Sequence, residues 1–181
     1  MFNLSTQEVV LSIEKSPLKI VHGIIYQEYR DFFGKGFKLP PLENKNFVKL
    51  EFQEDRPRMR LDYDDELMKQ IKIFFMNTNI TRGLGNKFNT ELQFSSADLW
   101  IDNAGYKLEP HTDDDRIKLS LQIYLSDNNE GTSLYDKQGN IQYTFPFKFN
   151  HGYALYNGVY SDHGVEEVEN DGRISLYVRY S

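Results

Sequence analysis

The chain has 181 residues, a net charge of -6, a pI near 5.2, 39% hydrophobic residues and no cysteine. That length buries a core without staples, and the missing thiols exclude disulfides, thiolate zinc sites and cysteine nucleophiles. An acidic chain repels phosphate backbones, so nucleic acid is not an expected partner.

The N-terminus, MFNLSTQEVVLSIEKSP, lacks a basic start followed by an apolar run, so no signal peptide is expected. No apolar run is long enough for a membrane helix. With no cysteine, these features predict a soluble cytoplasmic protein without a membrane partner. Ser5 and Glu8 fit a capping box ahead of a short helix. In IVHGIIYQEYRDFFGKG, Ile25, Tyr29, Phe32 and Phe33 recur near helical spacing, which predicts a helix ended by Gly34. PPLENKN reads as a connector. EFQEDRPRMRLDYDDE mixes charges of both signs and reads as surface. DYDDELMKQIKIFFMN is the strongest helix, capped by Asp62 or Asp64, with Leu67, Ile71, Phe74 and Phe75 in one stripe.

From about residue 90 the texture changes to strands. TELQFSSADLWI precedes a DNAG turn. In IKLSLQIYL, Ile117, Leu119, Leu121, Ile123 and Leu125 face one way and Lys118, Ser120, Gln122 and Tyr124 the other. DNNEG and DKQGN are turns, and IQYTFPFKF, GYALYN, GVEEV and RISLYVRY are further short strands. The spacing of breaks predicts an antiparallel sandwich or barrel, with N-terminal helices packed outside it. One domain over 1–181 is expected, with 1–90 a helical support too poor in core to stand alone and 91–181 the β core.

His111-Thr112-Asp113 stands just ahead of the alternating strand. Alone, an H-x-D is weak, since a charged loop produces it readily. A third ligand must come from elsewhere, and the other histidines are His22, His151 and His163. His22 reads as a packed or surface residue within an apolar stretch. His151 and His163 both precede a glycine and a strand. Two imidazoles and a carboxylate with open positions favour non-haem Fe(II). In RISLYVRY, Arg173 and Ser175 share one face while Ile174, Leu176 and Val178 share the other. An Arg beside a Ser suits a dicarboxylate. A guanidinium inside a barrel needs a standing anionic partner, because burying it alone costs several kcal/mol.

The ordered set His111-x-Asp113, His163 and Arg173-x-Ser175 resembles the signature of the Fe(II)/2-oxoglutarate-dependent dioxygenases, in the compact branch related to prolyl hydroxylases. LQIYLSDNNEGTSLY and NHGYALYNGVYSDHGVEEVENDGRISLYV look like the strands that follow H-x-D and those that close the barrel. The resemblance covers about residues 95 to 180. It implies a mainly β fold with N-terminal helices, built on a double-stranded β-helix (a jelly-roll, cupin-like core). It implies iron on His111, Asp113 and His163, and the distal carboxylate of 2-oxoglutarate on Arg173 and Ser175. Tyr124 is a further candidate for that carboxylate. His163 is preferred over His151 because Arg173 follows it at the family-like distance. Fe(II), 2-oxoglutarate and O2, with ascorbate as an accessory, are the implied cofactors and co-substrates.

The implied reaction is hydroxylation of a prolyl residue in a peptide or protein, or of a small molecule, with release of succinate and CO2. Halogenases of this kind lack the carboxylate ligand, so Asp113 favours hydroxylation. Two other readings stand beside it. One is a cupin-type metal dioxygenase without a keto acid, which has no use for an Arg-Ser clamp. The other is a non-catalytic jelly-roll that binds a ligand or serves as a structural protein. Asp114 and Asp115 read as a solvated turn, and Arg116 lies near the site mouth. Trp100 and Asp102 read as ordinary strand packing. An alternative for Arg173 is a surface pairing with Glu166, Glu167 or Glu169.

Overall fold

The computed structural model describes residues 4–50, 56–158 and 160–181. In chain order the elements are α1 (Thr6–Lys15), β1 (Leu18–Val21), β2 (Ile24–Tyr29), β3 (Phe47–Val48), β4 (Arg58–Leu61), α2 (Glu66–Phe75) and α3 (Thr78–Phe88). There follow β5 (Phe94–Asp102), β6 (Leu108–His111), β7 (Leu119–Tyr124), β8 (Thr132–Tyr135), β9 (Ile141–Thr144), β10 (Gly152–Tyr156), β11 (His163–Val165) and β12 (Arg173–Tyr180).

The capping chemistry places the helices. Ser5 Oγ accepts from the Glu8 amide and opens α1. Asp65, rather than the expected Asp62 or Asp64, caps α2 through the Leu67 amide at 2.8 Å. Asp62 instead accepts from the Asp64 amide in the turn leading in. Leu67, Met68, Ile71 and Phe75 are the buried stripe of α2, with Phe74 partly buried beside them. The helix α3 was not expected, because Thr, Asn and two glycines are poor helix formers. Ile80, Leu84 and Phe88, one turn apart, bury its inner face and outweigh those propensities.

The predicted helix through Ile25–Phe33 is instead a hairpin. Val21 pairs with Ile24, so the turn is only His22-Gly23, and both residues have positive φ, 48° and 83°. Such a primed two-residue turn matches strand twist and commits the chain to β1 and β2. Tyr29, Phe32 and Phe33 reach the core as expected, from the strand and the bend after it. The region expected as a helical support thus contributes four strands as well as three helices. Within the stretch read as charged surface, Arg58–Leu61 is strand β4, paired with β5; residues 51–55 lie outside the described residues.

The strands form an eight-stranded sheet, in order β1-β2-β10-β7-β12-β5-β4-β3, and a four-stranded sheet, β6-β11-β8-β9. All the pairings are antiparallel. This is the expected double-stranded β-helix of jelly-roll type with helices on one outer face. Leu119, Leu121, Ile123, Leu125, Leu176 and Val178 belong to the same core cluster as the buried faces of the helices. The alternation of β7 is therefore as read, but its second face is not solvated: Ser120, Gln122 and Tyr124 are buried too. A second cluster, including Tyr26, Tyr124, Leu134, Phe145, Phe147 and Tyr153, joins residues of both sheets. A one-residue slip of β7 would turn Leu119, Leu121 and Ile123 away from the helices, at about 1.5–3 kcal/mol each. That fixes the register of the strand that follows His111 and Asp113.

Candidate metal centre

His111 ends β6 and His163 opens β11, and the two are direct partners across the small sheet. Their rings lie 4.6 Å apart. Asp113, in the loop after β6, aims Oδ1 between them, 3.7 Å from each Nε2. One donor atom from each of the three residues lies within 4.8 Å of the others. Each imidazole is oriented by its own chain: Nδ1 of His111 donates to the Glu109 carbonyl at 3.0 Å, and Nδ1 of His163 to the Ser161 carbonyl at 2.9 Å. A carbonyl can only accept, so Nδ1 of each ring carries a proton and Nε2 is the atom turned toward Asp113. Two imidazoles, able to ligate through Nε2 once that atom gives up its proton, and one carboxylate, held on one side of an open cavity, fit a divalent metal of the non-haem iron type.

The other oxygen of Asp113 is also held. Oδ2 accepts from Tyr177 Oη at 2.7 Å and from Ser120 Oγ. Burial works to raise this carboxyl, but the His111 side chain, the charge of His163 and the two hydroxyls outweigh it and hold it well below the usual carboxylate range. The Asp113 carboxylate in turn raises His111 against partial burial, whereas burial lowers His163. Asn157 Nδ2 donates to the carbonyls of Asp113, Asp114 and Ile117, pinning the loop.

A tight backbone approach brings the two histidines together. A Cβ on Gly164 would lie 2.5 Å from the Leu108 carbonyl oxygen and 3.1 Å from Pro110 N, both on β6. Only glycine lets β11 sit this close to the strand that carries His111.

The triad opens onto a cavity of about 360 Å³, bounded on other sides by Arg58, Arg60, Trp100, Gln122, Thr132 and Tyr177 among others. Arg173, Ser175 and Tyr124 lie together and are fully buried. Ser175 is the direct cross-strand partner of Tyr124. Thr132 links them to the cavity: it lines the cavity, and its amide donates to Tyr124 Oη. Arg173 does not pair with Glu166, Glu167 or Glu169. Nη1 donates to Asp102 at 2.6 Å and Nε to the Glu130 carbonyl, and the guanidinium lies 4.5 Å from the Phe147 ring. Its standing anionic partner is thus a protein carboxylate, which Arg58 also grips from the other side at 2.5 Å. Asp102, read as ordinary packing, is the hub of a buried Arg-Asp-Arg row across β4, β5 and β12. Two polar atoms beside it stay unmatched: Arg173 Nη2 and Ser175 Oγ are buried without a partner. Two orphan donors two residues apart on one strand face suit the carboxylate of 2-oxoglutarate.

The remaining sequence candidates stay outside. The His151 ring bonds the Phe149 carbonyl, and His22 sits in the hairpin turn. Arg116 pairs with Asp114 in solvent, as befits a solvated turn. The sequence pattern did not single out Tyr177, Ser120 or Asn157. Tyr177 and Ser120 were detectable, since each lies on the strand face that carries a named candidate; Asn157 carried no signal.

No family model matches the chain, and no curated protein matches it in sequence. Solved structures do match in shape. A 2OG-Fe(II) oxygenase family oxidoreductase from Burkholderia pseudomallei is 17% identical, with TM-score 0.57, over 97% of this chain and 76% of that one. A Pseudomonas putida prolyl-4-hydroxylase is 14% identical, with TM-score 0.63, over 95% and 97%. A Trichoplax adhaerens prolyl hydroxylase, solved with a hypoxia inducible factor peptide fragment, is 13% identical, with TM-score 0.63, over 96% and 87%. The fold is that of the Fe(II)/2-oxoglutarate oxygenases. Within that fold, prolyl hydroxylases are among its neighbours, in keeping with the resemblance carried by the motifs.

Proposed function

We propose that this chain is an Fe(II)- and 2-oxoglutarate-dependent dioxygenase that hydroxylates a prolyl residue of a peptide or a small molecule. The observation that carries the reading is the convergence of His111, Asp113 and His163 on one cavity of an oxygenase fold. His111, Asp113 and His163 would hold the iron. Arg173 and Ser175, through their orphan donors, would hold the distal carboxylate of 2-oxoglutarate, with Tyr124 opposite Ser175 as a third contact. The bound pair would supply the hard chemistry: O2 activation, oxidative decarboxylation to succinate and CO2, and insertion of oxygen into a substrate C–H bond.

The chain's own work is positioning. Tyr177 and Ser120 occupy Asp113 Oδ2, leaving Oδ1 for the metal. The two backbone carbonyls hold the imidazoles in the ligating tautomer. Leu108 and Val165 give the cavity apolar walls beside the histidines, limiting water there. The peptide in the Trichoplax structure supports including peptides among the substrates.

One observation favours a second reading, a metal dioxygenase without a keto acid: Asp102 already neutralises Arg173. Anaerobic titration with Fe(II) and 2-oxoglutarate separates the two. A weak visible charge-transfer band that disappears in His111→Ala and needs far more keto acid in Arg173→Ala supports the oxygenase. Bound iron without a band points to the second reading, and no bound iron removes both.

A further inference from the structure

Among the described residues, the lining of the cavity carries more positive charge than its neighbours match. Arg56, Arg58, Arg60 and Arg179 line it, against Asp98 and Asp113, in a chain whose net charge is -6. Asp113 faces the histidines, and Arg58 is held by Asp102. That leaves Asp98 to serve the rest, and it is already engaged. Tyr63 Oη donates to it at 2.6 Å and Arg179 Nη2 at 2.7 Å.

Arg60 is the group left over. Its guanidinium stacks 3.6 Å above the Tyr63 ring and comes only within 3.7 Å of Asp98. Among the described residues that guanidinium makes no hydrogen bond, and its Nε is buried without a partner, as is that of Arg179. The side chain is 16% exposed, so water does not solvate it freely either. Arg60 also lies apart from the keto-acid donors. It pairs with Trp100, and Trp100 with Ser175, so it is two strands, about 10 Å, from Ser175.

We propose that the prime substrate carries a carboxylate and that Arg60, seconded by Arg179, receives it over the Tyr63 ring. This deepens the oxygenase reading and rests on it. A planar guanidinium fork matches a carboxylate better than a point cation does. The carboxylate belongs either to a free acid or to an acidic side chain beside the reacting residue of a peptide.

Trp100 is the single tryptophan and lines this cavity, so its fluorescence reports occupancy. The probes are N-acetyl-L-proline against its amide, and acetyl-Asp-Pro-amide against acetyl-Asn-Pro-amide. They are titrated into the full chain, with and without Fe(II) and 2-oxoglutarate, under anaerobic conditions. An acid is expected to bind about tenfold or more tightly than its neutral twin, as a charge-assisted hydrogen bond in a shielded site requires. The first pair answering marks a free acid, the second a peptide. In Arg60→Met, which keeps the stem over Tyr63, the preference collapses while the iron–keto-acid band persists. If that variant loses the band, Arg179→Met takes its place.

Equal binding of acid and neutral twin, no binding of either acid, or a preference that survives Arg60→Met overturns the proposal. So does loss of the band in both arginine variants, because the wall then serves the keto acid. Absence of the band in the native chain is a separate failure, that of the oxygenase reading.

Discussion

Tyr177 Oη lies 2.7 Å from Asp113 Oδ2, so a residue on the last strand of the large sheet holds the carboxylate that faces two histidines of the small sheet. Ser120 shares the task. A carboxylate pinned at one oxygen presents the other in a fixed direction, and outer partners of this kind tune metal affinity. Tyr177→Phe keeps the ring and removes the hydroxyl. We expect Fe(II) affinity to fall about tenfold, the low end for such partners because Ser120 remains, with about 1 kcal/mol of stability lost. Metal titration and thermal melts of the two proteins measure both.

Proton competition gives a pH dependence with two opposed slopes. In the metal-free chain Asp113 raises His111 above its usual 6.5, and burial lowers His163 below it. A raised group stabilises the fold below its unfolded value and loses that contribution as pH climbs through its folded value. The lowered His163 stabilises above 6.5 and loses its contribution as pH falls through its own folded value. Metal-free stability therefore peaks near pH 6.5 as far as these groups decide it. Fe(II) must displace the His111 proton, so its affinity rises with pH over the window in which the metal-free fold weakens. Melting and Fe(II) titration at a series of pH values test both slopes; a parallel course of the two would contradict the assignment.

The grouping of His111, Asp113 and His163 was anticipated through the ordered resemblance alone, because an isolated H-x-D is weak and His151 and His163 both precede a glycine and a strand. Arg173 and Ser175 were legible as a pair, yet the partner of Arg173 was not. Asp102 lies 71 residues away and meets it only through the β5–β12 register, which no local pattern encodes. The Ile25–Phe33 segment misled because apolar spacing alone does not separate a helix from a hairpin followed by a bend. The deciding sign was His22-Gly23, a turn-forming pair in the middle of the run. The charged stretch around Arg58 and Arg60 read as surface because burial of arginines depends on Asp98 and Asp102 from another strand.

Gly164 sets the distance between the strands that carry the two histidines. In Gly164→Ala the new methyl meets the backbone of β6 rather than a side chain that could rotate away. Backbone cannot give without moving Leu108–His111, so His111 leaves its place opposite His163. The expected result is a folded protein with a lowered melting temperature and an Fe(II) affinity reduced much more than by Tyr177→Phe. Equal metal binding by the variant and the native chain would mean that β6 relaxes freely.

Asp102 is the single carboxylate between two buried guanidinium groups, with both its own side chain and that of Arg173 fully buried. Asp102→Asn is nearly isosteric but leaves Arg58 and Arg173 without an anion. Breaking a buried pair from one side costs about 3–5 kcal/mol, so a marked fall in melting temperature is expected. The same change frees Arg173 Nη1 beside the orphan Nη2. If 2-oxoglutarate is the anion for which that face is built, it becomes a partial replacement. Saturating 2-oxoglutarate should then raise the melting temperature of Asp102→Asn by more than that of the native chain. With Fe(II) present under anaerobic conditions, succinate, which shares the distal carboxylate but lacks the keto oxygen, should do so less. Equal small shifts in both proteins would separate Arg173 from the keto acid and leave Asp102 as its complete partner.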